Sequence, residues 1–156
     1  MRLFVLLVFL FAPLRETRAA EAEFVRVWPG WRDAESFDRI GDFFGGDQKH
    51  GGEIIVRTHP DARAGYYFFV RVKSSTALAG ARFVLEVIRP DAPAPKTFNF
   101  PAVAPAGGAV FQLGLTGADW PGENKAHAVA WKLALLAADG RELAEQKSFL
   151  WEKPAQ

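Results

Sequence analysis

The chain has 156 residues, with 19 Lys and Arg against 18 Asp and Glu, no Cys, and 13% aromatic residues. Without Cys there is no disulfide scaffold, no thiol nucleophile and no lipid attachment at a signal-peptide cysteine. The near balance of charge argues against nucleic acid and against an anionic membrane surface as partners, because neither finds a basic footprint in a neutral chain with interspersed signs.

Residues 1–22 read MRLFVLLVFLFAPLRETRAAEA. Arg2 gives a positive start, Leu3 to Phe11 is an unbroken apolar run, Pro13 ends it, and Ala20-Glu21-Ala22 offers the A-x-A pattern that signal peptidase accepts. The run falls short of the roughly 18 to 20 apolar residues that a membrane-crossing helix requires. The expectation is a signal peptide at 1–22, one domain at 23–156, and no stable membrane insertion after cleavage. The destination is then periplasmic or extracellular. A cut after Thr17-Arg18-Ala19 instead starts the mature chain near Ala20. Three Arg and two Glu leave with residues 1–22, so the remaining 134 residues carry no net charge. They keep eleven Phe, five Trp and two Tyr, ample material for a core.

Glu23 to Trp28 reads as a first strand or extended lead-in, and Pro29-Gly30 as a turn. Residues 33–45 predict a helix with Phe37, Ile40 and Phe44 on one face, Asp33 capping its start and Gly45-Gly46 stopping it. From Glu53 the period becomes two. Ile54 to Arg57 is a strand, and Gly65 to Lys73 another, with Tyr66, Phe68, Val70 and Val72 on one face. Tyr67, Phe69, Arg71 and Lys73 line its other face. Arg82 to Arg89 turns Phe83, Leu85 and Val87 inward. Pro90 to Pro95 reads as a stiff connector, Thr97 to Phe100 as a short strand that Pro101 and Pro105 keep out of a long central ladder. Val110 to Leu115 alternates through Phe111, Leu113 and Leu115. Ala128 to Leu136 sets Val129, Trp131, Leu133 and Leu135 on one face. Asp139-Gly140 predicts a type I′ hairpin, and Arg141 to Trp151 returns with a break in phase that a bulge explains.

About seven strands separated by turn signals predict an all-β fold. The pattern resembles an antiparallel β-sandwich of the immunoglobulin or fibronectin-III type, with one short N-terminal helix. The resemblance is to an architecture and brings no functional residues with it. The paired Cys of antibody-type domains is absent, and Trp131 reads as a core Trp.

No catalytic residue is assigned. Ser36, Ser74, Ser75 and Ser148 sit in no nucleophile motif. His50, His59 and His127 lack ligand spacing, so no metal and no cofactor are expected. The GGDQKHGGE loop gathers Asp47, His50 and Glu53 without the rigidity a metal site needs. The run Arg57, His59, Asp61, Arg63 reads as a charged loop. Two Trp-led turns, Trp28-Pro29-Gly30-Trp31 and Trp120-Pro121-Gly122, supply the ligand-binding candidates Trp28, Trp31 and Trp120. Exposed, they stack on sugars or anchor a protein; buried, they plug the ends of the sandwich. The function expected is an exported, non-catalytic binding or interaction module with a protein or glycan partner. The alternatives are a carbohydrate-binding module, a glycan-acting hydrolase using Asp119 and Glu123, or a structural partner in envelope assembly that pairs through edge strands.

Overall fold

The computed structural model describes residues 21–37, 52–120 and 126–152. Among them, eight strands form two four-stranded sheets. These are β1 (Ala22–Arg32), β2 (Glu53–Arg57), β3 (Gly65–Ser74), β4 (Leu78–Arg89), β5 (Ala92–Ala104), β6 (Gly107–Thr116), β7 (Ala130–Leu136) and β8 (Glu142–Lys147). Sheet A has the order β1-β3-β6-β2, and sheet B the order β5-β4-β7-β8. The all-β expectation holds, with eight strands rather than about seven. One pairing departs from an antiparallel arrangement: β2 runs parallel to β6.

The sheets pack face to face because the alternation read from the sequence puts one large apolar set on each inner face. Phe83, Leu85 and Val87 of β4, Phe111, Leu113 and Leu115 of β6, and Leu133 and Leu135 of β7 are all fully buried. Each such side chain contributes roughly 1.5 to 3 kcal/mol on leaving water. Rings lock the layers: Phe83 meets Phe111 edge-on at 4.9 Å, and Phe68 meets Trp131 at 5.6 Å. Trp131 is the expected core residue, with 7% exposure. Val129, expected inward, is instead exposed, because β7 begins only at Ala130.

Several boundaries are corrected by the edges. Pro29-Gly30 makes no turn; Trp28, Pro29, Gly30 and Trp31 continue β1, opposite Phe69, Phe68, Tyr67 and Tyr66. Only β3 adjoins β1, so its outer N–H row needs no partner and Pro is admitted. A bulge between Phe24 and Arg26 resets the alternation, leaving Val25 as the extra residue. Likewise the stiff connector and the short strand merge into β5, thirteen residues long. It too is an edge strand, and Pro93, Pro95 and Pro101 occupy one alternate set of its positions.

Asp139-Gly140 does turn the β7–β8 hairpin, but not as type I′. Gly140 has φ +85°, no non-Gly residue among those described has positive φ, and Gly140 N–H donates to the Ala137 carbonyl at 2.9 Å. This is a type I turn closed by a left-handed Gly, the longer hairpin form. The expected irregularity lies opposite Leu135 and Leu136. β8 stops at Lys147, and Phe149–Glu152 forms a helical turn instead of strand, with Phe149 exposed. At the N-terminal helix, Asp33 Oδ1 accepts the Ser36 N–H at 2.7 Å, the cap that the sequence predicts. The rest of that helix, with Ile40, Phe44 and the Gly45-Gly46 stop, lies outside the described residues. So do residues 1–20, Asp47, His50 and Glu123.

Candidate functional site

The outer face of sheet A is a lattice whose rows follow from register. Trp28, Phe69, Gln112 and Ile55 form one row; Gly30, Tyr67, Gly114 and Arg57 the next; Arg26, Arg71, Val110 and Glu53 a third. An outer sheet face is ordinarily wet, yet Tyr67 and Phe69 are buried here. Trp28 stacks on Phe69 with centroids 5.5 Å apart, and Phe37 leans over Tyr67 at 5.1 Å. Gly114 makes room for the Tyr67 ring: a Cβ there would lie 2.5 Å from Cε1. The Tyr67 hydroxyl donates to the Arg63 carbonyl at 2.6 Å and accepts from Arg57 Nε at 2.8 Å. Burial pushes this phenol above its ordinary pKa despite the hydrogen bond from Arg57 and the charges of Arg57 and Arg32, so it stays neutral.

Cations clothe this aromatic layer. Arg26 sits over Trp28 at 4.9 Å, Arg32 over Phe69 at 4.7 Å, and Arg57 over Phe37 at 4.8 Å. Each such contact stabilises by about 0.5 to 1 kcal/mol at an exposed site. It restrains the guanidinium without using its N–H donors. Arg26 lies directly opposite Arg71, a like-charge pairing that disfavours the sheet unless an anion approaches. Among the described residues, Arg26, Arg32, Arg71 and Lys73 have no ion-pair partner.

The three Trp candidates do not share one surface. Trp28 and Trp31 are three residues apart on a strand and so face opposite sides. Trp31 turns inward beside the main core, opposite Tyr66. Trp120 stacks on Tyr66 at 4.3 Å and is 4% exposed. Its Nε1 has no acceptor among the described residues. Trp120 therefore offers no open ring. Trp28 alone belongs to the outer face, where its ring already carries Phe69 and Arg26.

The remaining polar cluster sits where the β2–β3 loop meets β5 and the end of β6. Asp119 binds His59 Nε2 at 3.0 Å and Lys96 Nζ at 2.5 Å. Burial opposes its charge, but Lys96, a hydrogen bond from Thr58, and His59 outweigh burial and hold the carboxyl below its usual range. A carboxylate kept ionised beside Lys96 is no proton donor. The Arg57–Arg63 run is dispersed: Arg57 serves Tyr67 and His59 serves Asp119. Ser74 donates to backbone carbonyls, Ser148 Oγ accepts the Trp131 N–H, and Ser36 completes its cap. Among the described residues, no three His, Asp or Glu groups could hold a metal, and no helix is long and apolar enough to cross a membrane.

Comparison with protein-family models and with curated proteins finds no match to this chain.

Sequence reasoning missed Arg26, Arg32, Arg57, Arg71 and Gly114 as site residues. The available signal was Tyr67-x-Phe69-x-Arg71-x-Lys73, an outward row that begins aromatic and ends basic. What it lacked was the knowledge that β1 and β2 flank β3 and β6 with more of the same.

Proposed function

We propose that this is an exported, non-catalytic binding module whose ligand is an acidic glycan docked on the outer face of sheet A. One observation carries the reading: cations with no ion-pair partner among the described residues, restrained over aromatic rings, cluster on one face of a domain that is close to neutral in sum. Restrained guanidinium groups with free N–H edges are suited to carboxylate or sulfate groups. The rings of Trp28 and Phe69 stack on each other rather than standing free, which disfavours single-stranded nucleic acid, whose bases need open aromatic faces. Pro29 and the bulge at Val25 blunt the β1 edge against strand addition by an acidic peptide. A panel of sulfated, uronic-acid and neutral oligosaccharides checks the reading. Binding confined to the acidic members is expected; preference for neutral sugars, or turnover of any of them, contradicts it.

The domain is further proposed to be of the immunoglobulin or fibronectin-III kind. Set β2 aside, and the other seven strands divide as β1-β3-β6 and β5-β4-β7-β8. That is the A-B-E and C′-C-F-G division of a fibronectin-III domain. The hydrolase alternative has less support, since Asp119 is committed to Lys96 and His59. Prolines on β1 and β5 likewise weigh against assembly through edge pairing. Of the two leader cuts, the one before Ala20 keeps Glu21, whose carbonyl accepts the Ser75 N–H at 3.0 Å and whose carboxylate meets Arg141 at 2.9 Å. Intact-mass analysis of the exported protein should find Ala20 first; a chain beginning at Glu23 counts against this cut.

A further inference from the structure

At one end of the outer face of sheet A lies a groove of about 360 Å³, bounded by Val25, Arg71, Lys73, Ser75, Gly107 and Gly108. Its shape has a local cause. The β1 bulge lifts Val25 out of the ladder, where it is 53% exposed. Across β3, the lattice has two successive glycines: Gly108 faces Lys73 and Gly107 faces Ser74. A Cβ built at either would meet nothing within 4 Å. The space is open because side chains are absent from strand positions that would ordinarily carry them. Moreover, β2 joins β6 only from Val110, so among the described residues no strand pairs with Gly107 and Gly108 on that side.

The charged side chains that line this space are both cationic. Arg71 and Lys73 are exposed and have no ion-pair partner among the described residues. Arg26 stands opposite Arg71, adding a third cation in the same register. The acids nearest in register are Glu23, opposite Lys73 and not ion-paired, and Glu53, beyond Val110 and bonded by Gln112. A glycine floor beside an arginine and a lysine admits a tetrahedral or planar oxyanion close to backbone, as a side chain there would not.

Resting on the reading of the outer face as an acidic-glycan surface, we infer that this groove is its anchoring subsite, taking one sulfate or carboxylate substituent between Arg71 and Lys73 over Gly108. From Lys73 to Gly65, the partner of Arg32, β3 spans roughly 27 Å. Cations at both ends of that span suit several anionic groups on one linear chain, with the groove holding the first. A single small anion would need only the groove.

The test uses a heparin-derived octasaccharide, inorganic sulfate and a deoxythymidine decamer, with calorimetry and amide chemical shifts as readouts. Gly108→Val fills the groove at a position without positive φ, where a β-branched residue suits the strand. Arg71→Gln/Lys73→Gln removes the charge with the floor intact. Both variants should melt close to wild type and bind the octasaccharide at least about tenfold more weakly, and sulfate should shift the Gly107 and Gly108 amides. Octasaccharide binding that survives both variants but falls in Arg26→Gln/Arg32→Gln overturns the groove and leaves the face reading standing. Sulfate shifts without octasaccharide binding support the groove and overturn the glycan reading. Equal or tighter binding of the decamer overturns the choice of glycan, and binding of no probe overturns both.

Discussion

The outer faces of the two sheets dispose of their charges differently. On sheet B, Lys132 pairs with Glu86 and Lys147 with Glu145, while Arg82 has no ion-pair partner among the described residues. On sheet A, Arg26, Arg32 and Arg57 lie over Trp28, Phe69 and Phe37 without an ion-pair partner among the described residues, whereas Lys132 of sheet B has both the Trp151 ring and the Glu86 carboxylate. Exposed ion pairs contribute about 0 to 1 kcal/mol and present no net charge to a partner. A cation on a ring gains similar local stability while its charge and its donors stay available. A net charge of zero thus says nothing about how charge is sorted once the chain is folded.

The contrast can be broken at the rings before the charges. Trp120→Ala and Trp131→Ala remove rings packed between the sheets and should each cost roughly 3 to 5 kcal/mol. Trp28→Ala, half-buried on the outer face, should cost well under half of that. Equal losses in denaturant unfolding would mean that the outer aromatic layer is as integral as the core. Next in size is Gly114→Ala, whose methyl must displace the Tyr67 ring. It should cost about 1 to 3 kcal/mol and release Arg57, whereas Gly30→Ala in the same row meets nothing and should be close to neutral. Matching stabilities for these two variants would show that Tyr67 does not need the gap.

A smaller effect is expected with pH. The folded-state pKa of Asp119 is lowered, so its contribution is present above the ordinary carboxylate value of about 4 and is lost as pH falls through and below it. Asp119→Asn should therefore flatten the acid limb of the stability profile and leave affinity for acidic oligosaccharides intact. A variant that keeps the wild-type acid limb would remove Asp119 from the account of that end of the domain.

Much of the interior was legible in the chain. Period-two alternation placed Tyr66, Phe68, Val70 and Val72, then Phe83, Leu85 and Val87, on inner faces, because buried faces enforce strict register. Edges were less legible. Proline in β1 and β5 carries the same letters as proline in a turn, and only the absence of a second neighbouring strand tells them apart. The parallel approach of β2 to β6 has no local signature at all. For the site, Trp28 was found, but as part of a turn and in company with Trp120. Its true ring partner, Phe69, becomes a neighbour only through the register of β1 on β3, and so does the Arg32 that lies over Phe69. Cation-on-ring contacts across strands depend on pairing, which composition and spacing along one strand do not contain.

The most direct test of the central claim is the affinity of a heparin-derived octasaccharide for three proteins: wild type, Arg26→Gln/Arg32→Gln on sheet A, and Glu86→Gln/Lys132→Gln on sheet B. All three should unfold within about 1 kcal/mol of one another. The sheet A variant should bind at least about tenfold more weakly, and the sheet B variant should bind as wild type does. Equal affinity in all three proteins, or a loss confined to the sheet B variant, would contradict the claim.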